Sequence, residues 1–227
     1  MKKALLIIIA LSGFFMPTQA QNPRHYLYSA SIHGGWTLKT NMARENVPAY
    51  YTDYLETVKQ GFSAGANICF NIKDWFGIGL HYDYFKKKGL MNIEQSYAGY
   101  HYVYSINNTY TTDFMALSLG LHRFMGRSHI MIDYLIGFMD YRESGNLDPM
   151  AQIFNHYCVG HCFAQGVKIQ YDCLITKHFA VGISASYCAG TLSTLTYQTQ
   201  INSTPVNMEN PIHLDQMSTN AHLSLYF

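Results

Sequence analysis

Charge is scarce in this chain of 227 residues: Lys and Arg number 15, Asp and Glu 14, and charged residues make up 13 % of the sequence. A soluble globular domain carries about 25 %, so the surface is short of the groups that normally face water. The net charge of +1 leaves no basic surplus for nucleic acid. Long apolar runs are missing beyond the N-terminus. Nothing there approaches the roughly 18 consecutive apolar residues of a membrane helix, which excludes a helical anchor. The five cysteines (Cys69, Cys158, Cys162, Cys173, Cys188) are an odd number and cannot all pair within one chain. Cys158 and Cys162 stand near His156 and His161, which leaves zinc ligation or a disulfide open. Their spacing fits no standard zinc motif, and the segment reads as an exposed loop. Free thiols are therefore expected, with no metal and no cofactor.

Aromatic residues, in contrast, are plentiful, with 19 Tyr and 13 Phe. The N-terminus has the form of a cleaved secretory signal: Lys2 and Lys3, an apolar stretch from Ala4 to Met16, then Thr18-Gln19-Ala20. Residues 1–20 are expected to be removed, leaving one domain over 21–227. No cysteine directly follows Ala20, so lipoprotein processing is not expected. Loss of two lysines leaves 13 cationic against 14 anionic side chains, a charge of −1.

The remaining chain alternates with period two, the signature of β-strands with two unlike faces. At the C-terminus Thr219, Ala221, Leu223, Leu225 and Phe227 form one face, and Asn220, His222, Ser224 and Tyr226 the other. The pattern recurs over 61–72, where Phe62, Ala64, Ala66, Ile68, Phe70 and Ile72 oppose small or polar residues. It recurs again over 76–84, 112–124, 130–138, 164–175 and 179–187. A first, less regular strand spans about Tyr26–Trp36, with Ser29, Ser31 and His33 on its polar face. Eight strands result. Short turns fall at Lys73-Asp74-Trp75, Gly126-Arg127-Ser128 and Lys177-His178, and long connections at 38–60, 87–111, 143–161 and 193–213.

Alternation alone does not say which face is inside; a lipocalin-like soluble barrel alternates too. The polar face is rich in Gly and Ser, which fit a narrow interior but make a poor solvent surface. The other face is almost purely Leu, Ile, Phe, Val, Ala and Tyr, with Trp75, Phe76, Phe179 and Phe227 at the short-turn end, where an aromatic girdle belongs. The expected fold is an all-β, eight-stranded antiparallel transmembrane barrel of up-and-down order. It closes on itself because an open edge in hydrocarbon would leave backbone groups unpaired. Short turns and both termini fall on the periplasmic side and long loops outside.

The signal peptide, the eight amphipathic strands and the ending Leu223-Ser224-Leu225-Tyr226-Phe227 resemble the outer-membrane β-barrel family of OmpX/OmpA-type and PorT-like proteins. The strand opening Thr112-Asp113-Phe114-Met115-Ala116-Leu117 resembles members from Bacteroidetes. The resemblance implies a bacterial outer-membrane location. It also implies that Leu223, Leu225, Tyr226 and Phe227 act as a signal for the outer-membrane assembly machinery, with periplasmic chaperones on the way.

Eight strands leave an interior just wide enough for side chains to fill. The inward set, notably His81, Asp83, His122, Asp133, Lys168, Asp172, Asn220 and His222, is expected to form a polar belt in the periplasmic half, with Lys168 between Asp133 and Asp172. A structural plug of paired groups is expected rather than an ion path. Lys86, Lys87 and Lys88, at the outer end of a strand, suit lipopolysaccharide phosphates or, equally, a solvated loop base. Loop tyrosines such as Tyr50, Tyr51, Tyr54, Tyr97, Tyr100, Tyr102 and Tyr104 suit contact with a surface ligand, or strands that run beyond the membrane, which is the expected case. A lipid A-modifying enzyme of this size would place a Ser/His/acid group near the outer leaflet. His156, His161, His213 and Asp215 lie there without a serine partner. A non-enzymatic envelope protein is expected, with a narrow channel or secretion-associated barrel as the alternative.

Overall fold

A computed structural model describes residues 26–40, 56–97, 100–148, 154–198 and 203–227. The proposed signal peptide 1–20, and Tyr50, Tyr51 and Tyr54, lie outside them. The strands are β1 (Tyr28–Lys39), β2 (Gln60–Lys73), β3 (Phe76–Tyr97), β4 (Tyr100–Met125), β5 (Ser128–Asp148), β6 (Phe154–Leu174), β7 (Phe179–Gln198), β8 (Ser203–His213) and β9 (Gln216–Tyr226). Each pairs antiparallel with its neighbour in the sequence, except that β7 pairs with both β8 and β9. The outer part of β7 holds β8 and the inner part holds β9, so the two are one barrel strand broken at Leu214-Asp215. Pairing of β1 with β9 closes an eight-stranded ring. The chain end is part of the closure, because Tyr28 and Phe227 exchange backbone hydrogen bonds at 3.1 and 2.9 Å.

The short turns are tight for local reasons. Asp74-Trp75 joins β2 to β3, and Gly126-Arg127 joins β4 to β5 with Gly126 at φ 64°, a conformation that favours glycine. At the β6–β7 turn, Thr176 Oγ1 accepts from the backbone N–H groups of His178 and Phe179.

The connections expected as loops prove to be largely strand. The segment 87–111 continues β3 and β4 out to Tyr97 and Tyr100; β5 and β6 run through much of 143–161; β7 and β8 cover most of 193–213. These strands are 20 to 26 residues long, except β8, about twice the 9–11 needed to cross a bilayer. Backbone pairing carries the pattern beyond the point where apolar alternation fades. Tyr97, Tyr100, Tyr102 and Tyr104 lie on this outer hairpin.

Outward positions are mostly apolar over a band, with Gln165 on β6 an exception that accepts from Tyr134 Oη. On β3 it runs from Phe76 to Tyr84 and ends at Lys86; on β5 it runs from Ile130 to Phe138 and ends at Asp140 and Arg142. Ile183, Met115 and Phe138 are 66, 64 and 64 % exposed. Apolar side chains turned out and polar ones turned in are the reverse of a soluble barrel, and on β3 and β5 the band runs for about nine residues, the length with which a tilted strand crosses a bilayer. Trp75 and Phe227 are exposed at the short-turn rim.

The interior has three layers. At the short-turn end Tyr26, Phe124, Leu174, Ala180 and Tyr226 form an aromatic floor, tied down by Tyr26 Oη donating to the Lys177 carbonyl. Above it lies the polar belt. Higher still, Phe85, Phe114, Leu135, Met139, Leu192 and Leu214 pack with Cys158, Cys162 and Cys188 as an apolar plug. Cys158 and Cys162 are thus buried in β6, not in a loop as expected. His161 is exposed on the opposite face of that strand, so the suggested Cys/Cys/His161 zinc set does not converge. All five cysteines are free thiols.

Candidate functional site

The polar belt is organised by strand register. One inward row crosses six strands in the order Asp172, Gly182, His222, His33, Gly65, Asp83, each residue paired directly with the next. The order is symmetric about the β1–β9 seam: acid, glycine, histidine, then histidine, glycine, acid. Glycine is required between each acid and imidazole. A Cβ at Gly65 would lie 2.5 Å from His33 Nε2 and 2.8 Å from Asp83 Oδ1; at Gly182 it would crowd His222 Nε2 closer still and lie 2.6 Å from Asp172 Oδ1. With hydrogen there instead, the side chains meet over the gap at 2.6 Å for His33 with Asp83 and 2.5 Å for His222 with Asp172.

Asp172 is heavily coordinated. Gln170 Nε2 donates to it at 2.8 Å, Ser224 Oγ at 3.2 Å and Tyr226 Oη at 2.5 Å, and His129 Nδ1 stands at 3.4 Å. The other carboxylate, Asp83, meets two imidazoles: His33, and His81 Nε2 at 3.0 Å. The His33 and His81 rings stack with centroids 5.5 Å apart. A third centre pairs Asp133 with Lys168 at 3.0 Å, and Ser118 Oγ donates to Asp133 at 2.8 Å.

The expected Lys168 bridge between two acids is therefore corrected. Lys168 stands directly opposite Asp133 in the β5–β6 register, while Asp172, further along the same face, is answered by His129, His222, Tyr226, Ser224 and Gln170. Asn220 is buried in the belt, with Oδ1 3.4 Å from Ser63 Oγ. His122 is also buried, its ring edge-on to Phe124 and His129.

Two members escaped the sequence reading. His129 is the second residue of β5, next to a turn, where periodicity is weakest; its ring stacks on Phe124 at 4.1 Å. Lys39 fell in the segment expected as a loop, yet it is the last residue of β1 and fully buried. Its Nζ donates to Thr112 Oγ1 at 2.8 Å and Gln216 Oε1 at 2.5 Å, and lies 4.8 Å from the Phe85 ring centroid. Extending the inward series Ser29, Ser31, His33, Gly35, Thr37 by one step would have found it.

On the outer wall, Lys86 and Lys88 are exposed, while Lys87 is half-buried with its stem reaching over Gly61 on the inner side. The lysine run is thus split between two faces, not a single cluster. Tyr82 Oη donates to Asp113 at 2.6 Å, and Arg142 pairs with the same carboxylate. His213 Nδ1 reaches Thr191 Oγ1 at 3.4 Å. The C-terminal residues Leu223, Leu225 and Phe227 point outward and are exposed, while Tyr226 points inward.

No protein-family description and no curated protein matches the chain. Solved structures do. A major outer membrane protein from Thermus thermophilus superposes with a TM-score of 0.52 at 8 % identity, over 88 % of this chain and 99 % of that one. The outer membrane protein OprG from Pseudomonas aeruginosa gives 0.50 at 10 % identity, over 91 % and 99 %. The outer membrane protease OmpT from Escherichia coli gives 0.48 at 10 %, over 92 % and 99 %. The fold is that of outer-membrane β-barrels.

Proposed function

We propose that this chain is an integral protein of the bacterial outer membrane: a closed, non-enzymatic scaffold with a filled interior, whose tall outer hairpins contribute to envelope structure or meet a surface ligand. The observation that carries this reading is the layered interior, where a polar belt is sealed between an aromatic floor and an apolar plug inside an apolar outer wall. Removal of residues 1–20 on export, and domain limits of 21–227, belong to the same reading. So do periplasmic chaperones and the outer-membrane assembly machinery as partners, the latter reading the outward row Leu223, Leu225 and Phe227 beside Tyr226. The strand opening Thr112–Leu117 supports a place among PorT-like barrels of Bacteroidetes. Outer-membrane lipid surrounds the band, and Lys86 and Lys88, just above it, suit lipopolysaccharide phosphates.

Planar-bilayer recording of the refolded chain tests the sealed interior. No steady conductance is expected; a reproducible selective conductance would favour the channel or secretion-associated alternative instead. Mass spectrometry of lipid A from cells with and without the gene is expected to show the same acyl pattern, and a changed pattern would make the protein an enzyme.

A further inference from the structure

The two halves of the symmetric row have diverged. Asp172 is held by hydroxyl and amide donors as well as imidazoles, which immobilise a buried carboxylate and occupy its lone pairs. Among the described residues, Asp83 is met by imidazoles alone, one on each oxygen. The His33 and His81 rings are parallel to within 4°, so both Nε2 atoms address the same carboxylate, and the three ligand atoms lie within 4.8 Å of one another.

We propose that His33, His81 and Asp83 bind one divalent transition-metal ion of the zinc or cobalt type, through Nε2 of each imidazole and a carboxylate oxygen. Imidazole and carboxylate suit such ions, whereas calcium and magnesium call for oxygen alone. Bonds of about 2.0–2.2 Å to a shared tetrahedral ion place ligand atoms roughly 3.4 Å apart. The two His–Asp contacts, 2.6 Å to Oδ1 and 3.0 Å to Oδ2, are shorter than that spacing, so an ion between the groups replaces both hydrogen bonds and spreads the three side chains by less than about 1 Å. Three protein ligands leave one tetrahedral position for a further donor.

A second, independent observation concerns the far side of His81. Its Nδ1 is buried without a hydrogen-bond partner, and so is Asn67 Oδ1. Asn67 stands directly opposite His81 in the β2–β3 register. With the proton on Nε2 facing Asp83, Nδ1 is left a bare acceptor. An ion on Nε2 moves the ring proton to Nδ1, and ligating histidines hand that proton to a neighbouring acceptor. That role falls to Asn67 Oδ1, the unpaired carbonyl oxygen on the residue opposite His81, once its side chain turns to meet the ring. Gly65 keeps the space between His33 and Asp83 open. Because floor and plug bracket the belt, the ion enters while the strands close.

The test is refolding of the chain into detergent micelles with cobalt(II), followed by removal of loose ion on a chelating column. One cobalt per folded chain is expected, with visible absorption of nitrogen and oxygen ligation and no thiolate-to-cobalt charge-transfer band. Asp83→Asn, and His33→Gln combined with His81→Gln, are expected to lower retention by about tenfold or more. His161→Gln, on the outer wall, keeps it. Retention below half an equivalent by the unaltered chain overturns the proposal without any variant. So does a charge-transfer band, which would assign the ion to cysteines, or undiminished retention in the heat-modifiable, folded His33→Gln/His81→Gln protein.

Discussion

A carboxylate withdrawn from water costs several kcal/mol unless its partners answer it, and the interior contains Asp133 and Asp172 with no exposed surface at all. Removing one partner strands the other. Asp133→Ala, leaving Lys168 unpaired, is expected to destabilise the barrel by about 3–5 kcal/mol, read from urea unfolding in lipid vesicles. Asp133→Leu with Lys168→Met should recover most of that loss, since an apolar pair of similar size needs no counter-charge. Tyr226→Phe removes one charge-assisted hydrogen bond from Asp172 and is expected to cost about 1.5–3 kcal/mol by the same measurement. Gly182→Ala is predicted to be worse than its size suggests, because the new methyl would run into the Tyr171 carbonyl as well as the His222–Asp172 contact. A Gly182→Ala protein with unaltered unfolding would show that the row can spread, and that glycine is not required for the acid and imidazole to meet.

At the scale of the strand, each element carries two unlike faces, and a single residue of slip would exchange them. Ile183 lies at the middle of the outward band on β7. Ile183→Lys is expected to cost about 2–4 kcal/mol if that band faces hydrocarbon; a cost near zero in vesicles would remove the lipid-facing reading. The lysine run on β3 makes a sharper prediction than a simple charge count. Lys86→Glu and Lys88→Glu, both outward, should weaken retention of lipopolysaccharide by the purified barrel. Lys87→Gln, half-buried on the inner side, should leave it unchanged.

For the molecule as a whole, closure and filling are one property. Eight strands enclose an interior narrow enough for side chains to fill, and the apolar plug occupies the half that the polar belt leaves. The break at Leu214-Asp215 lets one strand serve both the ring, through β9, and the outer extension, through β8. Heating should convert the purified protein from a compact to a slower-migrating form on a gel in one cooperative step. Gradual conversion would indicate that the outer hairpins and the ring unfold separately.

The sequence by itself determined the strand count, the short turns, the direction of each face and the membership of most of the polar belt, because these follow from alternation along one strand. Ile78, Leu80 and Tyr82 against Gly79, His81 and Asp83 need no neighbour to be read. Only the tertiary structure decided who meets whom. The partner of Lys168, the symmetric row across six strands and the meeting of His33 with His81 and Asp83 depend on the register between strands distant in sequence, which alternation within a strand does not encode. Lys39 and the outer hairpins were hidden for a related reason: there, strand is held by backbone pairing to a neighbour after the side-chain pattern has lost its contrast.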